Sequence, residues 1–177
     1  MGKPTASNVQ IRKARLTDLE VLVRYRRLMW EDLGVEDRRA LDEQDRVYKR
    51  WARTRLKNKT LIGWLAVTRD GKVTAIGCLW LQSMLPKPGN NRMLQPYMFS
   101  MYTIPSFRGK GIASRILREA VRWGKRNHFL SLGLHASEIG RRVYSRVGFK
   151  RTWEMRIRFG PEAKLKANRP LLHSRKR

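Results

Sequence analysis

One cysteine, few acids and no long apolar run set the first limits on this 177-residue chain. A lone Cys78 excludes any disulfide or cysteine-based metal site within the chain. Its apolar surroundings predict a buried, unreactive thiol in a reducing cytosol. His128, His135 and His173 have no helical pairing, so no metal site is expected. No stretch of eighteen apolar residues occurs, so no membrane span is expected, and Met1 to Gln10 lacks the apolar centre of a secretion signal. These scarcities point to a cytoplasmic chain. Its length predicts one domain with its own core over residues 1–159, followed by a basic tail over 160–177.

Acidic residues are scarce and unevenly placed. Forty Lys and Arg stand against fourteen Asp and Glu, for a net +26. Nine of the fourteen acids lie between Asp18 and Asp45, while the chain from Gly71 onward has 23 basic and 4 acidic residues. Two readings are open. The charge is either carried on solvated helix faces and a tail, or it meets a polyanion such as nucleic acid or the ribosome. No RNA-binding signature sequence accompanies it.

What is present is a glycine-rich run in an informative setting. Tyr97 to Ile104 is apolar and β-prone and ends at Pro105. Apolar residues at Ile112, Ile116, Leu117, Ala120, Val121 and Trp123 then follow helical spacing. Arg108-Gly109-Lys110-Gly111-Ile112-Ala113 therefore links a strand to a helix that continues from Ser114. Glycines there let successive N–H groups converge, and the helix N-terminus adds partial positive charge, which together cradle a phosphate or pyrophosphate. Arg108 and Lys110 are expected to add formal charge. A P-loop is excluded because Lys110 precedes Gly111 rather than Ser or Thr. A dinucleotide fingerprint is excluded by Ser114 and by the lack of an acid about twenty residues on.

The run resembles the acetyl-CoA-binding motif of the GCN5-related N-acetyltransferases (GNAT), Arg/Gln-x-x-Gly-x-Gly/Ala, matched by Arg108, Gly111 and Ala113. Further on, Val143-Tyr144-Ser145-Arg146-Val147-Gly148-Phe149 is similar to the signature in which a tyrosine stands four residues before Gly-Phe. Ile11 to Ala14 with Thr17-Asp18 is similar to the family's first strand and helix start, so the resemblance spans about residues 9 to 159. It implies an α/β fold with a mixed, mostly antiparallel sheet, splayed between its fourth and fifth strands, with helices on both faces.

The elements expected along the chain agree with that order. They are a strand at Val9 to Ala14, a helix begun at Thr17 with a capping box to Glu20, and a helix over Asp42 to Lys57 burying Val47, Trp51 and Leu56. Strands follow at Leu61–Thr68 and Val73–Gln82, joined through Asp70-Gly71. Then come the strand to Ile104, a strand at Phe129–His135, a helix from Ser137 to Val147 ended by Gly148, and a last strand at Thr152–Phe159.

The resemblance implies that acetyl-CoA is the cosubstrate, with no metal. Its pantetheine arm would lie along Met101, Tyr102 and Thr103, and its phosphates on Arg108, Gly109, Lys110, Gly111, Ile112, Ala113 and Ser114. The reaction implied is direct acyl transfer to an amine in a ternary complex, with Tyr144 as general acid to the leaving thiolate. Where the family often has asparagine, seven residues before the tyrosine, this chain has Ser137. That residue is either an N-cap or a contact to the coenzyme amide. Glu154 and Glu31 are the candidate general bases. Trp30, Trp51 and Trp80 are either core or the lining of an acceptor pocket. The partner implied is an amine acceptor, small, protein-borne or RNA-associated; the alternative reading is a nucleic-acid- or ribosome-associated module that retains a coenzyme A site, and a homodimer is also open to such a chain.

Overall fold

A computed structural model describes residues 9–157 and residue 159. Five strands form one sheet in chain order: β1 (Val9–Lys13), β2 (Leu61–Thr68), β3 (Val73–Ser83), β4 (Leu94–Thr103) and β5 (Gly133–Leu134). The first four pair antiparallel, and β5 joins β4 in parallel. The fold expected from sequence is present.

Alternation along the strands builds two cores. Trp64, Ala66, Ala75 and Leu79 point to one face, where they meet Ile112, Ile116, Leu117 and Ala120 of α3 (Ile112–Arg126). Leu61, Leu65, Ile76 and Cys78 point to the other, against α1 (Leu19–Asp32) and α2 (Arg38–Lys57). The helix α4 (Glu138–Val147) adds Val143, Tyr144 and Val147 to the α3 side. Leu22, Leu65, Ile76, Leu79 and Ile116 have no exposed surface, and burying each such side chain contributes roughly 1.5–3 kcal/mol. Cys78 is fully buried, as expected, and burial pushes its thiol up to about 12.

Several boundaries differ from the sequence reading for identifiable reasons. Thr17 does not cap a helix; residues Leu16–Asp18 make a 3-10 turn and α1 starts at Leu19. The Asp18 carboxylate accepts from the Arg15 N–H at 2.7 Å and from both terminal nitrogens of Arg12 at 2.7 and 2.8 Å. That charge pairing outcompetes a threonine cap. The second helix begins four residues early, because Asp37 accepts from the Ala40 N–H and caps it there. Its buried residues are Leu41, Tyr48 and Ala52, whereas Val47 is 54% exposed at the cleft.

The strand expected at Phe129–His135 contracts to Gly133–Leu134, and the described residues of the expected last strand, 152–157 and 159, form no strand. Residues 151–157 carry no regular structure, with Trp153 and Met155 more than nine-tenths exposed. A two-residue β5 offers almost no ladder for another strand to extend. Arg158 and the expected tail at 160–177 lie outside the described residues.

Candidate active site

The short β5 opens the sheet. It pairs with β4 only at Tyr97–Gly133 and Met98–Leu134, so among the described residues no strand lies beside β4 on that side from Phe99 to Thr103. The same stretch contains a bulge. Ile76 faces Tyr102 and Cys78 faces Phe99, which leaves Ser100 and Met101 opposite the single residue Gly77. Ser100 has φ +49°, an uncommon conformation for a non-glycine residue, and is 4% exposed. A bulge takes one residue out of the ladder and re-aims its backbone groups. Strand splay and bulge together put polar backbone into a cleft.

The glycine run follows a 3-10 turn at Pro105–Phe107. Gly109 and Gly111 have φ +74° and +73°, and a β-carbon on either would meet no atom within 4 Å. It is the left-handed backbone, not lack of room, that calls for glycine here. Helical bonding begins with the Arg115 N–H on the Gly111 carbonyl, which leaves the N–H groups of Ile112, Ala113 and Ser114 without helical acceptors. The open backbone, the two left-handed residues and the free space fit a pyrophosphate.

The side chains expected to add charge are engaged locally. Arg108 donates from Nε to the Thr103 carbonyl and from Nη2 to Asp32, both at 2.9 Å, and so ties the end of β4 to α1. Lys110 donates to the Ser106 carbonyl at 2.9 Å, with its ammonium over the Phe107 ring. The Ile112 side chain is core, so only its backbone faces the loop.

The Tyr144 ring also lines the cleft, on the α3 side of the sheet. Burial alone pushes its phenol above the ordinary range, so it holds its proton. A β-carbon on Gly140, one turn earlier, would lie 2.7 Å from the Tyr144 ring. Glycine there makes space for the ring to lie back over its own helix. Ser137 caps α4 by accepting from the Gly140 N–H at 3.2 Å, and it also borders the cleft.

These parts share one cleft of about 1180 Å³. Single ligand sites usually span about 300–1,000 Å³, so there is room for two ligands side by side. On the side away from Tyr144 the walls are aromatic, with Trp30, Tyr48, Trp51, Trp80 and Phe99. Trp51 meets Trp80 and Phe99 edge to face at 5.4 and 5.8 Å. Neither expected carboxylate borders the cleft. Glu31 pairs with Arg27 at 3.0 Å. Glu154 lies in exposed coil, 2.8 Å from Arg156 and 3.2 Å from His135 Nε2, and Arg156 holds its carboxyl below the usual range.

Sequence reasoning missed Arg26, Ser100 and Gly140. Two of them had a signal. Arg26 falls on the apolar stripe of α1 with Leu19, Leu22, Val23 and Trp30, where a charge is out of place. Gly140 is a helix-interior glycine, which costs about 1 kcal/mol relative to alanine and needs a packing reason. The bulge at Ser100 had none, since it depends on the pairing of two strands.

The acetyltransferase (GNAT) family matches this chain over residues 19–149. Among solved structures, a predicted acetyltransferase with acetyl-CoA from Clostridium acetobutylicum is 29% identical, with TM-score 0.76 over 85% of this chain and 96% of that one. A GCN5-related N-acetyltransferase from Ralstonia eutropha JMP134 is 26% identical, with TM-score 0.77 over 85% and 98%. The aminoglycoside N-acetyltransferase AAC(6')-Iy shares the fold at 20% identity and TM-score 0.64 over 87% and 94%. No curated protein sequence matches. With the splayed sheet, the glycine turn into α3 and the family match over most of its length, the chain belongs to the GNAT acetyltransferases, acyltransferases that use acetyl-CoA.

Proposed function

We propose that this enzyme transfers an acetyl group from acetyl-CoA directly to an amine held in the same cleft. The observation that supports the reading is the continuity of that cleft: Arg108 and Ala113 from the two ends of the glycine turn, Tyr144, the β4 stretch from Tyr97 to Thr103 and the aromatic chamber all line it.

The coenzyme supplies an acetyl group on a thioester. Backbone groups of Met101, Tyr102 and Thr103 hold its extended arm as an added strand would be held. The turn from Arg108 through Ser114 holds its phosphates through N–H groups, with Arg108 acting by fixing the turn to Asp32 and Thr103. Ser137 shapes the wall while capping α4. The bulge at Ser100–Met101 supplies a backbone donor to the acyl oxygen as charge gathers there. Tyr144 gives its hydroxyl proton to the departing sulfur.

Cys78 takes no part as a nucleophile. Its thiol is enclosed, with Tyr48 Oη 3.9 Å from Sγ, and with its pKa near 12 it stays protonated at neutral pH, which favours direct transfer over an acyl-cysteine route. Glu31 and Glu154 are assigned no step, because arginines engage both outside the cleft.

The test is thiol release from acetyl-CoA across a panel of primary amines, with a parallel thermal melt. At a hundredfold excess over the dissociation constant, coenzyme binding should add about 2.7 kcal/mol of stability. Absence of both a melting shift and thiol release, on protein free of copurified coenzyme, refutes the reading.

A further inference from the structure

Arg26 is the one feature of the aromatic chamber that acetyl transfer by itself does not explain. Its guanidinium lies over the rings of Tyr48, Trp30 and Phe99, with Cζ 4.8, 5.4 and 5.7 Å from their centroids. Among the described residues its one hydrogen bond runs from Nη1 to Ser100 Oγ at 2.7 Å, at the β4 bulge. Among the described residues no carboxylate pairs with it. Asp45 is the acid that acts on it through space, and Asp45 Oδ2 is taken by Arg27 at 2.9 Å. A guanidinium withdrawn from water and left without an anion is costly, and it is the arrangement an anion-binding site has before its ligand arrives.

The surroundings argue against a polycationic acceptor. The acids clustered between Glu31 and Asp45 are largely spent within the protein. Arg27 binds Glu31, Asp42 and Asp45, and Arg108 binds Asp32. Glu43 borders the cleft only from an exposed position on its rim. The faces that would attract a ligand ammonium already carry cations, Arg26 on Tyr48 and Arg55 on Trp51 at 4.4 Å. An unpaired positive charge beside flat apolar walls selects the opposite chemistry.

Resting on the acetyltransferase reading above, we propose that the acceptor is an amine that also carries a carboxylate and a flat apolar side group, as an aromatic amino acid does. The carboxylate sits on Arg26 and the side group in the chamber of Trp51, Trp80 and Phe99. Because Arg26 bonds directly to the bulge at Ser100, the amine and the carboxylate are only a few bonds apart. In the transfer, the neutral amine nitrogen forms the new C–N bond, the C–S bond breaks, the nitrogen loses one proton to water, the thiolate takes the proton from Tyr144, and Tyr144 regains one from water.

Matched pairs read this out. Tryptophan is compared with tryptamine, and phenylalanine with phenethylamine, by kcat/KM in thiol release. The carboxylated member should win by roughly tenfold or more, since a site built for a polar group penalises the analogue lacking it. Arg26→Met keeps the length and removes the charge, and should reduce the ratio to near one, whereas Arg26→Lys should keep part of it. The ratio is used because Arg26 also touches Ser100, and any general loss of rate cancels. A binding arm needs no turnover: indole-3-propionate should raise the melting temperature of wild type but not of Arg26→Met. Preference for the bare amines, or an unchanged ratio in folded Arg26→Met, overturns the proposal while the enzyme reading stands. Loss of all thiol release and of the coenzyme melting shift, with the indole-3-propionate shift retained, refutes the enzyme reading and leaves the anion site.

Discussion

Tyr144 combines position and protonation. Its phenol lines the cleft and burial raises its pKa, so it remains a proton donor past pH about 10, where an exposed tyrosine titrates. Tyr144→Phe keeps the ring and removes the proton, and turnover should fall about 10²-fold with coenzyme affinity little changed. Weaker binding with unchanged turnover would assign the residue to packing. Gly140 sets where that ring lies. Gly140→Ala should lower kcat while the melting temperature stays near that of the parent, because the added methyl displaces the ring 2.7 Å away while favouring the helix. Full activity in that variant would mean that ring placement is not limiting.

At the scale of elements, the turn into α3 and the start of α1 show two kinds of constraint. Gly111 adopts φ +73°, which a β-branched residue strongly disfavours, and its side chain would enter space proposed for phosphate. Gly111→Val should lose coenzyme binding, read by isothermal titration, with the circular dichroism spectrum retained; near-normal affinity would reduce the loop to a simple turn. The start of α1 is electrostatic. Hydrogen bonding from the Arg12 guanidinium, helped by the Arg15 N–H, holds Asp18 below the usual carboxylate range despite an opposing penalty from burial. A depressed folded pKa gives stability that is full above the unfolded value of about 3.9 and is lost as pH falls through the lower folded one. Asp18→Asn should therefore cost about 1–3 kcal/mol at neutral pH, with the gap to the parent closing in acid. A pH-independent gap in urea melts would show that the carboxylate charge is not the source.

For the whole molecule, the question is where +26 of charge lies. Arg38, Arg39, Arg46, Arg50 and Arg53 are exposed on α2, and Arg118, Arg122, Lys125 and Arg126 are exposed on α3. These helices pack against opposite faces of the sheet, so their charges cannot all engage one nucleic-acid strand. The log–log salt dependence of duplex binding should then be shallow, well short of the slope of about −5 that six phosphate contacts would produce. A steep slope, measured by fluorescence anisotropy and surviving truncation after Phe159, would assign the folded domain a polyanionic partner.

Much of this protein was legible in its sequence because the signals are local. A strand running into a glycine turn and a helix, a tyrosine four residues before Gly148, and alternating apolar residues in β2 and β3 each follow from neighbours along the chain. The family and its mixed, mostly antiparallel sheet followed from those. The tertiary structure decided what depends on residues far apart. Arg12 reaching Asp18 moved the start of α1. A two-residue β5 opened the cleft and left Trp153 and Met155 without a sheet to join. Ser100 became a bulge only because β3 offers a single residue opposite two. Arg26, one charge on an apolar stripe, took on meaning only when α2 and β4 closed aromatic rings around it. Periodicity records which face of an element is buried; what it is buried against is fixed only when distant segments pack.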